Sequence, residues 1–317
     1  MPNRSGIWDL RTQGTAMQGG SWLQRAVFTE GGISAYSQIL QLDMNSSGTA
    51  RDFGNLSTAR LQSGTAAVGN KTRACFAGGY DGSSSNVIDF ITIFSGGTAT
   101  DFGNLTIAGA HCSGASSNTR GIIGGIWTGA YINTINFIVI ASTGNATDFG
   151  DATVTGMYRG HFSSPIRAIQ SGGNSGGSQH NIMDFVTIAS AGNASDFGDL
   201  LAVALGTQGA SNGTTGIICG GFSGSTYQDV IQFVTIATTG NSQDFGNLTT
   251  GLAYVGATSN RIKAVIPGGI NSSGAKVSTI DQVIIASTGN ATDWGDLSAA
   301  CQQAGATSNA HGGLTYA

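Results

Sequence analysis

The sequence predicts an all-β protein, and three observations carry this prediction. Glycine is unusually frequent, with 51 residues in 317, while charged residues make up only 9% of the chain. Glutamate and lysine, which normally fill the exposed faces of helices, are reduced to one glutamate and three lysines. The motif Asp-Phe-Gly, once as Asp-Trp-Gly, recurs six times. These observations exclude a largely helical fold and indicate a repeat architecture.

Composition also narrows the possible partners. With 40% hydrophobic residues, the chain can bury a core. The net charge is -4, which offers no basic field for phosphates, so a nucleic acid partner is not expected. The sequence has neither a secretory signal at its start nor a run of about 18 apolar residues, so membrane insertion is not expected either.

No metal site or cofactor is expected. The four cysteines are far apart and lack CxxC spacing, which favours buried free thiols. The histidines occupy different positions of the repeat and are not expected to converge on a metal ion. The motifs of common nucleophilic and metal-dependent hydrolases do not occur, and only one glutamate is present. Catalytic residues are therefore not predicted.

Two markers recur in phase along the chain. The Asp-Phe-Gly and Asp-Trp-Gly motifs begin in steps of 49, 47, 48, 48 and 49 residues, at Asp52, Asp101, Asp148, Asp196, Asp244 and Asp293. A Gly-Gly pair keeps the same spacing, starting at positions 31, 78, 124, 172, 220 and 268. The shared period excludes coincidence.

Each repeat is predicted to contain four short strands. In the second repeat, these are an apolar run ending in Gly-Gly (73–79), the segment VIDFITI (87–93), the segment DFGNL (101–105) and the small-residue stretch that follows. Segments such as VIDFITI have apolar residues on both faces, so we expect them to be covered on both sides. Four short strands in about 48 residues, repeated six times, predict a β-propeller.

The chain ends predict how the ring closes. The segment SGIWDL aligns with the aromatic strand of a repeat whose first half is missing, and the end of the chain copies the start of a further repeat. We therefore expect one domain over residues 1–317 with seven blades, the seventh shared by residues 1–25 and 302–317, which would remove exposed sheet edges. The alternative is a six-bladed ring with both chain ends as outer strands.

The repeat resembles kelch-type repeats. The similarity lies in the strand ending in Gly-Gly, the next strand beginning near Asn or Asp, and an aromatic strand carrying Phe or Trp where kelch repeats have tryptophan. A basic residue closes that strand at Arg60 and Arg159. The resemblance implies a kelch-like propeller.

The recurring charged residues are predicted to be structural. An Asp that opens a tight turn can bind nearby backbone amides, and Asp-Arg pairs between blades could lock neighbouring sheets. The six motif aspartates and the basic residues before the Gly-Gly strands, Arg25, Arg73, Arg120 and Arg167, are therefore assigned to the fold.

The loops after each Gly-Gly pair vary while their flanks do not. Because antiparallel strands alternate in direction, these loops lie at the same end of the blades as the turn after the Asp-Phe-Gly strand. Exposed aromatic rings among amides and hydroxyls suit a glycan or protein partner, while local packing of the loop tips is an equally good explanation. The candidate binding residues are Tyr36, Tyr80, Asp81, Trp127, Tyr131, His180, Phe222 and Tyr227.

The whole chain also resembles repeat proteins encoded by marine and cyanobacterial phages. The resemblance lies in the opening SGIWDLRTQGTAMQGGSW and in the units GNATDFGDL and SNTRG. It implies a non-enzymatic virion protein of the tail, its fibres or the particle surface, made in the host cytoplasm. Its partners would be a host receptor or glycan, other virion proteins and further copies of itself. A carbohydrate-binding lectin unconnected with phage, and a propeller enzyme, are the alternatives.

Overall fold

The computed structural model describes residues 23–29, 36–60 and 65–315, and this part of the chain forms strands and turns without a helix. Six four-stranded antiparallel sheets follow one another along the chain. Their innermost strands form a closed ring around a central axis, so the described residues build a six-bladed β-propeller.

The strands are assigned to blades in chain order. Blade 1 contains β1 (Arg25–Thr29), β2 (Tyr36–Asp43) and β3 (Arg51–Arg60). Blade 2 contains β4 (Ala66–Gly69), β5 (Arg73–Ala77), β6 (Ser85–Thr92) and β7 (Thr100–Gly109). Blade 3 contains β8 (Ser113–Ser116), β9 (Arg120–Gly124), β10 (Thr134–Val139) and β11 (Thr147–Asp151).

Blade 4 contains β12 (Gly160–Ser163), β13 (Arg167–Ser171), β16 (Ile182–Thr187) and β17 (Ser195–Asp199), with the small hairpin β14 (Asn174–Ser175) and β15 (Ser178–Gln179) in its loop. Blade 5 contains β18 (Gln208–Ser211), β19 (Thr215–Cys219), β22 (Val230–Thr235) and β23 (Gln243–Asn247), with the hairpin β20 (Phe222–Ser223) and β21 (Thr226–Tyr227). Blade 6 contains β24 (Thr258–Ser259), β25 (Lys263–Pro267), β26 (Val277–Ile284) and β27 (Thr292–Cys301). The last strand is β28 (Ala306–Ser308).

The end of the chain closes the ring. Strand β28 pairs antiparallel with β1, with Ala26 opposite Ser308, and becomes the innermost strand of blade 1. The prediction of seven blades is therefore wrong, because the C-terminal strand completes the first blade and does not begin another. The alternative of six blades gives the correct number, but it placed the C-terminal strand on the outside. The predicted contribution of residues 1–22 lies outside the described residues.

The core consists of apolar layers between neighbouring blades. Between blades 2 and 3, for example, Val68, Cys75 and Ile88 share one buried cluster with Ile123 and Ile138. The second strands of the blades are almost completely buried, as the apolar runs before Gly-Gly predict. All four cysteines are buried, and none forms a disulfide within the described residues.

The recurring Asp-Phe-Gly motif holds each blade against the next. Its aromatic ring is buried, and its aromatic carbonyl accepts a hydrogen bond from a glycine amide in the following blade, as between Phe149 and Gly192 at 2.7 Å. The same bond joins Gly97 to Phe53, Gly144 to Phe102, Gly240 to Phe197 and Gly289 to Phe245. The motif glycine has positive φ, and a Cβ there would lie within 2.7 Å of the neighbouring backbone at all six boundaries. Only glycine permits this approach.

The aspartates of the motif do not pair with the recurring arginines. They are exposed, and Asp148 and Asp293 each accept a hydrogen bond from the amide two residues later. In the described residues, the ion pairs join Arg60 to Asp89 and Arg159 to Asp184. The expectation of Asp-Arg locks built from the recurring residues is therefore wrong, because the exposed aspartates satisfy local amides.

The recurring arginines connect neighbouring blades through backbone carbonyls. The guanidinium of Arg73 donates to Ile140 and Ala141, and it lies 4.7 Å from the ring centre of Phe90. Arg25, Arg120 and Arg167 make the equivalent carbonyl bonds to the next blade. Their partners are therefore carbonyl oxygens instead of carboxylates, and the assignment of these arginines to the fold stays a prediction.

Serine side chains link the inner strands around the axis. Ser116 donates to the carbonyl of Gly69, Ser163 to that of Ser116 and Ser259 to that of Ser211, at 2.6–2.9 Å. Gly69 takes the place of the sixth serine, and Nε2 of His311 lies 3.0 Å from the Gly69 carbonyl oxygen. His311 and Leu314 are buried, so the segment after β28 closes this end of the axis.

The glycine contact between blades can be tested with a matched pair. Gly150→Ala places a methyl group 2.5 Å from Gly192, whereas Gly192→Ala on the other side of the same contact meets nothing within 4 Å. We expect Gly150→Ala to lower the free energy of unfolding by about 3 kcal/mol or more, because a strained φ costs about 1–3 kcal/mol before the clash is counted. Urea denaturation of both variants measures this. Equal stabilities would contradict the proposed contact.

Candidate functional site at one end of the axis

The two ends of the propeller axis differ. The loops after Gly-Gly and the turns that lead into the inner strands lie at one end, since Ala110 and Trp127 pair there and Ala204 donates to the carbonyl of His180. We call this end the loop face. The tight hairpins between the first and second strands lie at the opposite end, together with the segment that carries His311.

The structure brings some of the predicted loop residues together. The ring of Trp127 lies 5.7 Å from that of His111, and the rings of Phe222 and Tyr227 lie 5.0 Å apart. Tyr131 is close enough to Tyr158 to influence its pKa, and Tyr227 acts likewise on Tyr254. Parts of four blades therefore contribute aromatic side chains to one region.

The other predicted residues stay within their own loops. Asp81 accepts hydrogen bonds from Ser83, and Tyr80 forms a bridge with Ser84. The amide of His180 donates to Gly173 at the base of its loop. The side chain of Tyr36 lies outside the described part of the structure.

The centre of the loop face is built by one repeated turn position. Immediately before the inner strands, His111, Tyr158, Tyr254 and Gln303 adopt left-handed backbone conformations, with φ between 56° and 60°. Gly206 occupies the same position in a fifth repeat, with φ 68°. Such conformations are costly for residues other than glycine and often mark functional sites.

These residues contact one another across blade boundaries. The ring centres of His111 and Tyr158 are 4.1 Å apart, and those of Tyr158 and Tyr254 are 5.1 Å apart. The Tyr158 hydroxyl lies 3.2 Å from Nε2 of His111. The backbone amide of Gln303 donates to the backbone carbonyl of Tyr254 at 2.6 Å. A Cβ on Gly206 would lie 2.8 Å from the Tyr254 ring. Glycine at position 206 therefore leaves room for the Tyr254 ring. We call this group, with Thr207 beneath it, the axial mouth.

The axial mouth opens into the channel of the propeller. A cavity of about 40 Å³ lies beneath it, lined by residues that include Thr65, Thr207, Val255 and the side chains of the mouth. A second cavity of about 40 Å³ follows along the inner strands of all six blades and ends at His311. Each cavity has room for a water-sized group.

The histidines, tyrosines and cysteine at this end of the axis are neutral near pH 7. Burial lowers the pKa of His111 to about 4 and that of His161, deeper in the channel, to about 3. Burial raises the pKa of the Tyr158 and Tyr254 hydroxyls above their usual values. The thiol of Cys112 has its pKa raised to about 12 by burial, which makes it a poor nucleophile.

The sequence analysis missed Tyr158, Tyr254 and Gln303, and it treated His111 only as an isolated histidine. A signal was present: these residues follow the repeat, at steps of 47, 48, 48 and 49 through Gly206. Their identities differ from blade to blade, so the position is visible only when the turn geometry is known.

No protein-family model matches the chain, and no curated protein matches its sequence. The described residues contain no group of three or more His, Cys, Asp or Glu side chains able to hold a metal ion. Within the same residues, no helix is long and apolar enough to cross a membrane. The fold and the geometry of the mouth therefore carry the functional argument.

The buried histidines predict a pH dependence of stability. His111, His161 and His311 all have pKa values lowered by burial to between about 3 and 4, against about 6.5 in an unfolded chain. At pH values between about 4 and 6.5, the unfolded state thus binds more protons than the folded state does. The free energy of unfolding therefore falls as the pH decreases below about 6.5.

The contribution of one histidine can be isolated. His161→Gln keeps a hydrogen-bonding side chain and removes one titrating group. Between pH 6 and pH 5, we expect the free energy of unfolding to fall less steeply in the variant, by up to about 1.4 kcal/mol per pH unit. Urea denaturation across this range checks the slope. Parallel curves for both proteins would show that His161 is protonated in the folded state.

Proposed function

We propose that the chain is a non-enzymatic structural protein of a phage virion, in the tail or on the particle surface. It mediates attachment to a host receptor or contact with neighbouring virion proteins. The virion assignment rests on the resemblance in the opening segment and in the repeat units GNATDFGDL and SNTRG. From the strand that ends in Gly-Gly, the next strand that begins near Asn or Asp, and the aromatic strand, we also infer that the repeats are kelch-like.

The observation that best supports a binding role is the grouping of aromatic side chains on the loop face. Trp127, Tyr131, Phe222 and Tyr227 are half-buried there, beside the axial mouth. Half-buried aromatic rings offer large apolar contact areas, and their polar atoms remain available for hydrogen bonds. Such residues dominate the binding energy of many protein interfaces.

The loops that carry these residues are held in place by the fold. In blade 5, the amide of Gln228 donates to the carbonyl of Gly221, and in blade 3 Trp127 forms β-bridges with Ala110 and Tyr131. In blades 4 and 5 the loop also forms a two-stranded hairpin. A partner would therefore meet ordered loops, and little conformational entropy is lost on binding.

The opposite face carries exposed apolar side chains. Ile166 and Ile262, in two of the tight hairpins, are 66% and 60% exposed. Phe94, Val139 and Ile284, at the ends of the third strands, are also exposed. This surface suits contact with a neighbouring virion protein, while the loop face is directed towards the receptor.

A lectin unconnected with phage is the second candidate. The contact of Trp127 with His111 and the amide-rich loops around it favour it, because a ring among hydrogen-bonding groups is a suitable surface for a sugar. A saturable glycan titration that is abolished in Trp127→Ala, for a protein absent from virus particles, would favour this candidate.

The virion proposal can be tested with phage that carry variants of each face. Trp127→Ala with Tyr131→Ala removes apolar contact area from the loop face. Ile166→Ser with Ile262→Ser makes the opposite face polar. We expect the first pair to lower the rate of adsorption to host cells about tenfold, in line with a loss of about 1.4 kcal/mol, at an unchanged number of copies per particle. We expect the second pair to lower the number of copies.

Copy number is measured by quantitative mass spectrometry and adsorption by counting free phage. Cryo-electron microscopy of wild-type particles would locate the disc. Absence of the protein from purified particles would overturn the virion assignment. Normal adsorption by the loop-face variant would overturn the binding role of that face.

A further inference from the structure

The axial mouth contains buried polar atoms that have no partner within the described residues. They are Nδ1 of His111, Oγ1 of Thr207 and Oε1 of Gln303. All three residues line the same cavity, and so does Arg159, whose Nη2 is also buried without a partner there. Buried polar atoms are almost always hydrogen-bonded in folded proteins, so several such atoms around one cavity indicate a site for a polar ligand.

The hydrogen-bonding roles of these atoms follow from their neighbours. The Gln303 side chain acts to lower the pKa of the Tyr158 hydroxyl, against the larger effect of burial, as a nearby hydrogen-bond donor would. Since Oε1 of Gln303 is free, its amide group is the donor. The Tyr158 hydroxyl therefore donates its proton to Nε2 of His111. The neutral imidazole then carries its own proton on Nδ1.

The mouth thus offers one donor, one acceptor and one group that can be either. His111 Nδ1 donates, Gln303 Oε1 accepts, and the Thr207 hydroxyl can do both. A sugar hydroxyl also donates and accepts, so neighbouring hydroxyls of one sugar ring match this set.

The site has no uncompensated charge. Arg159 lines the cavity, but its guanidinium is paired with Asp184 at 3.2 Å, and both side chains are fully buried. His111 is neutral near pH 7. An acidic or basic ligand would therefore find no counter-charge, and a neutral ligand is favoured.

The tyrosines supply the apolar part of the site. The half-buried rings of Tyr158 and Tyr254 meet at 75° and form a corner at the cavity opening. An aromatic surface of this kind can pack against the C–H groups of a sugar ring. The cavity itself, at about 40 Å³, has room for a hydroxyl or hydroxymethyl group and not for a whole sugar ring.

We propose that the axial mouth binds one unit of a neutral saccharide, which packs on Tyr158 and Tyr254 and inserts a hydroxyl or hydroxymethyl group towards His111, Thr207 and Gln303. This proposal rests on the proposed attachment function and names the ligand chemistry of the loop face.

The test uses purified full-length protein and a panel of methyl glycosides: glucoside, galactoside, mannoside, fucoside, N-acetylglucosaminide and, as an acidic probe, glucuronide. Saturation-transfer NMR and titrations up to about 10 mM detect millimolar affinities. Thr207→Val and Gln303→Met keep the side-chain size and remove a hydrogen-bonding group. Thr238→Val is the control, because Thr238 is exposed in the turn that follows β22, at the opposite end of the axis from the mouth.

We expect at least one neutral glycoside to bind, with about tenfold weaker affinity in Thr207→Val and Gln303→Met and little change in Thr238→Val. Thermal melting of each variant confirms that it is folded. The proposal is overturned if no neutral glycoside binds, if the two mouth variants bind as well as wild type, or if the glucuronide is preferred.

Failure of the saccharide proposal can be distinguished from failure of the attachment function. Phage carrying Thr207→Val that adsorb normally, while the loop-face variant does not, would overturn the saccharide site and leave attachment standing. Glycoside binding by a protein that is absent from particles would give the reverse result.

Discussion

The backbone contact between each Asp-Phe-Gly glycine and the following blade is the constraint on which the rest of the structure depends. The contact brings two main chains closer than any Cβ would allow, at all six boundaries. A short hydrogen bond from a glycine amide to the aromatic carbonyl accompanies it at five of them. With the apolar layers between the sheets, this contact fixes the angle between neighbouring blades. The same angle at every boundary lets six blades form a ring, which β28 closes by pairing with β1.

The closed ring of blades determines which side chains meet at the axis. The inner strands approach one another closely enough for serine side chains to bind the carbonyls of adjacent blades. Where glycine replaces the serine, at Gly69, Nε2 of His311 lies near the carbonyl oxygen. The turns at the other end must adopt a left-handed conformation to enter these strands. That requirement directs His111, Tyr158, Tyr254 and Gln303 to a common centre. The strain at these turns is tolerated because the surrounding sheets determine the path of the chain.

Much of the fold could be predicted from the sequence, since the period and the four-strand pattern come from local features: glycine pairs, β-branched runs and a motif in phase. The number of blades could not, because closure depends on which strand the last residues join. The segment ATSN near the C-terminus resembles the start of another repeat, and only its pairing shows that it completes blade 1. The roles of the charged residues could not be predicted from the local sequence either. Arg73 and its equivalents bind carbonyls that are about 68 residues away in sequence. The axial mouth was missed because its position is filled by different residue types in different blades.

Native-state hydrogen exchange at the blade boundaries tests most directly whether the propeller is one closed unit. The relevant amides are those of Gly97, Gly144, Gly192, Gly240 and Gly289, each bonded to the preceding blade. If the boundaries hold the ring together, all five exchange only through global unfolding, and their exchange free energies equal the free energy of unfolding from urea denaturation. Exchange of one or two of them at a clearly lower free energy would mean that blades open separately, and it would contradict a ring held together as a single unit.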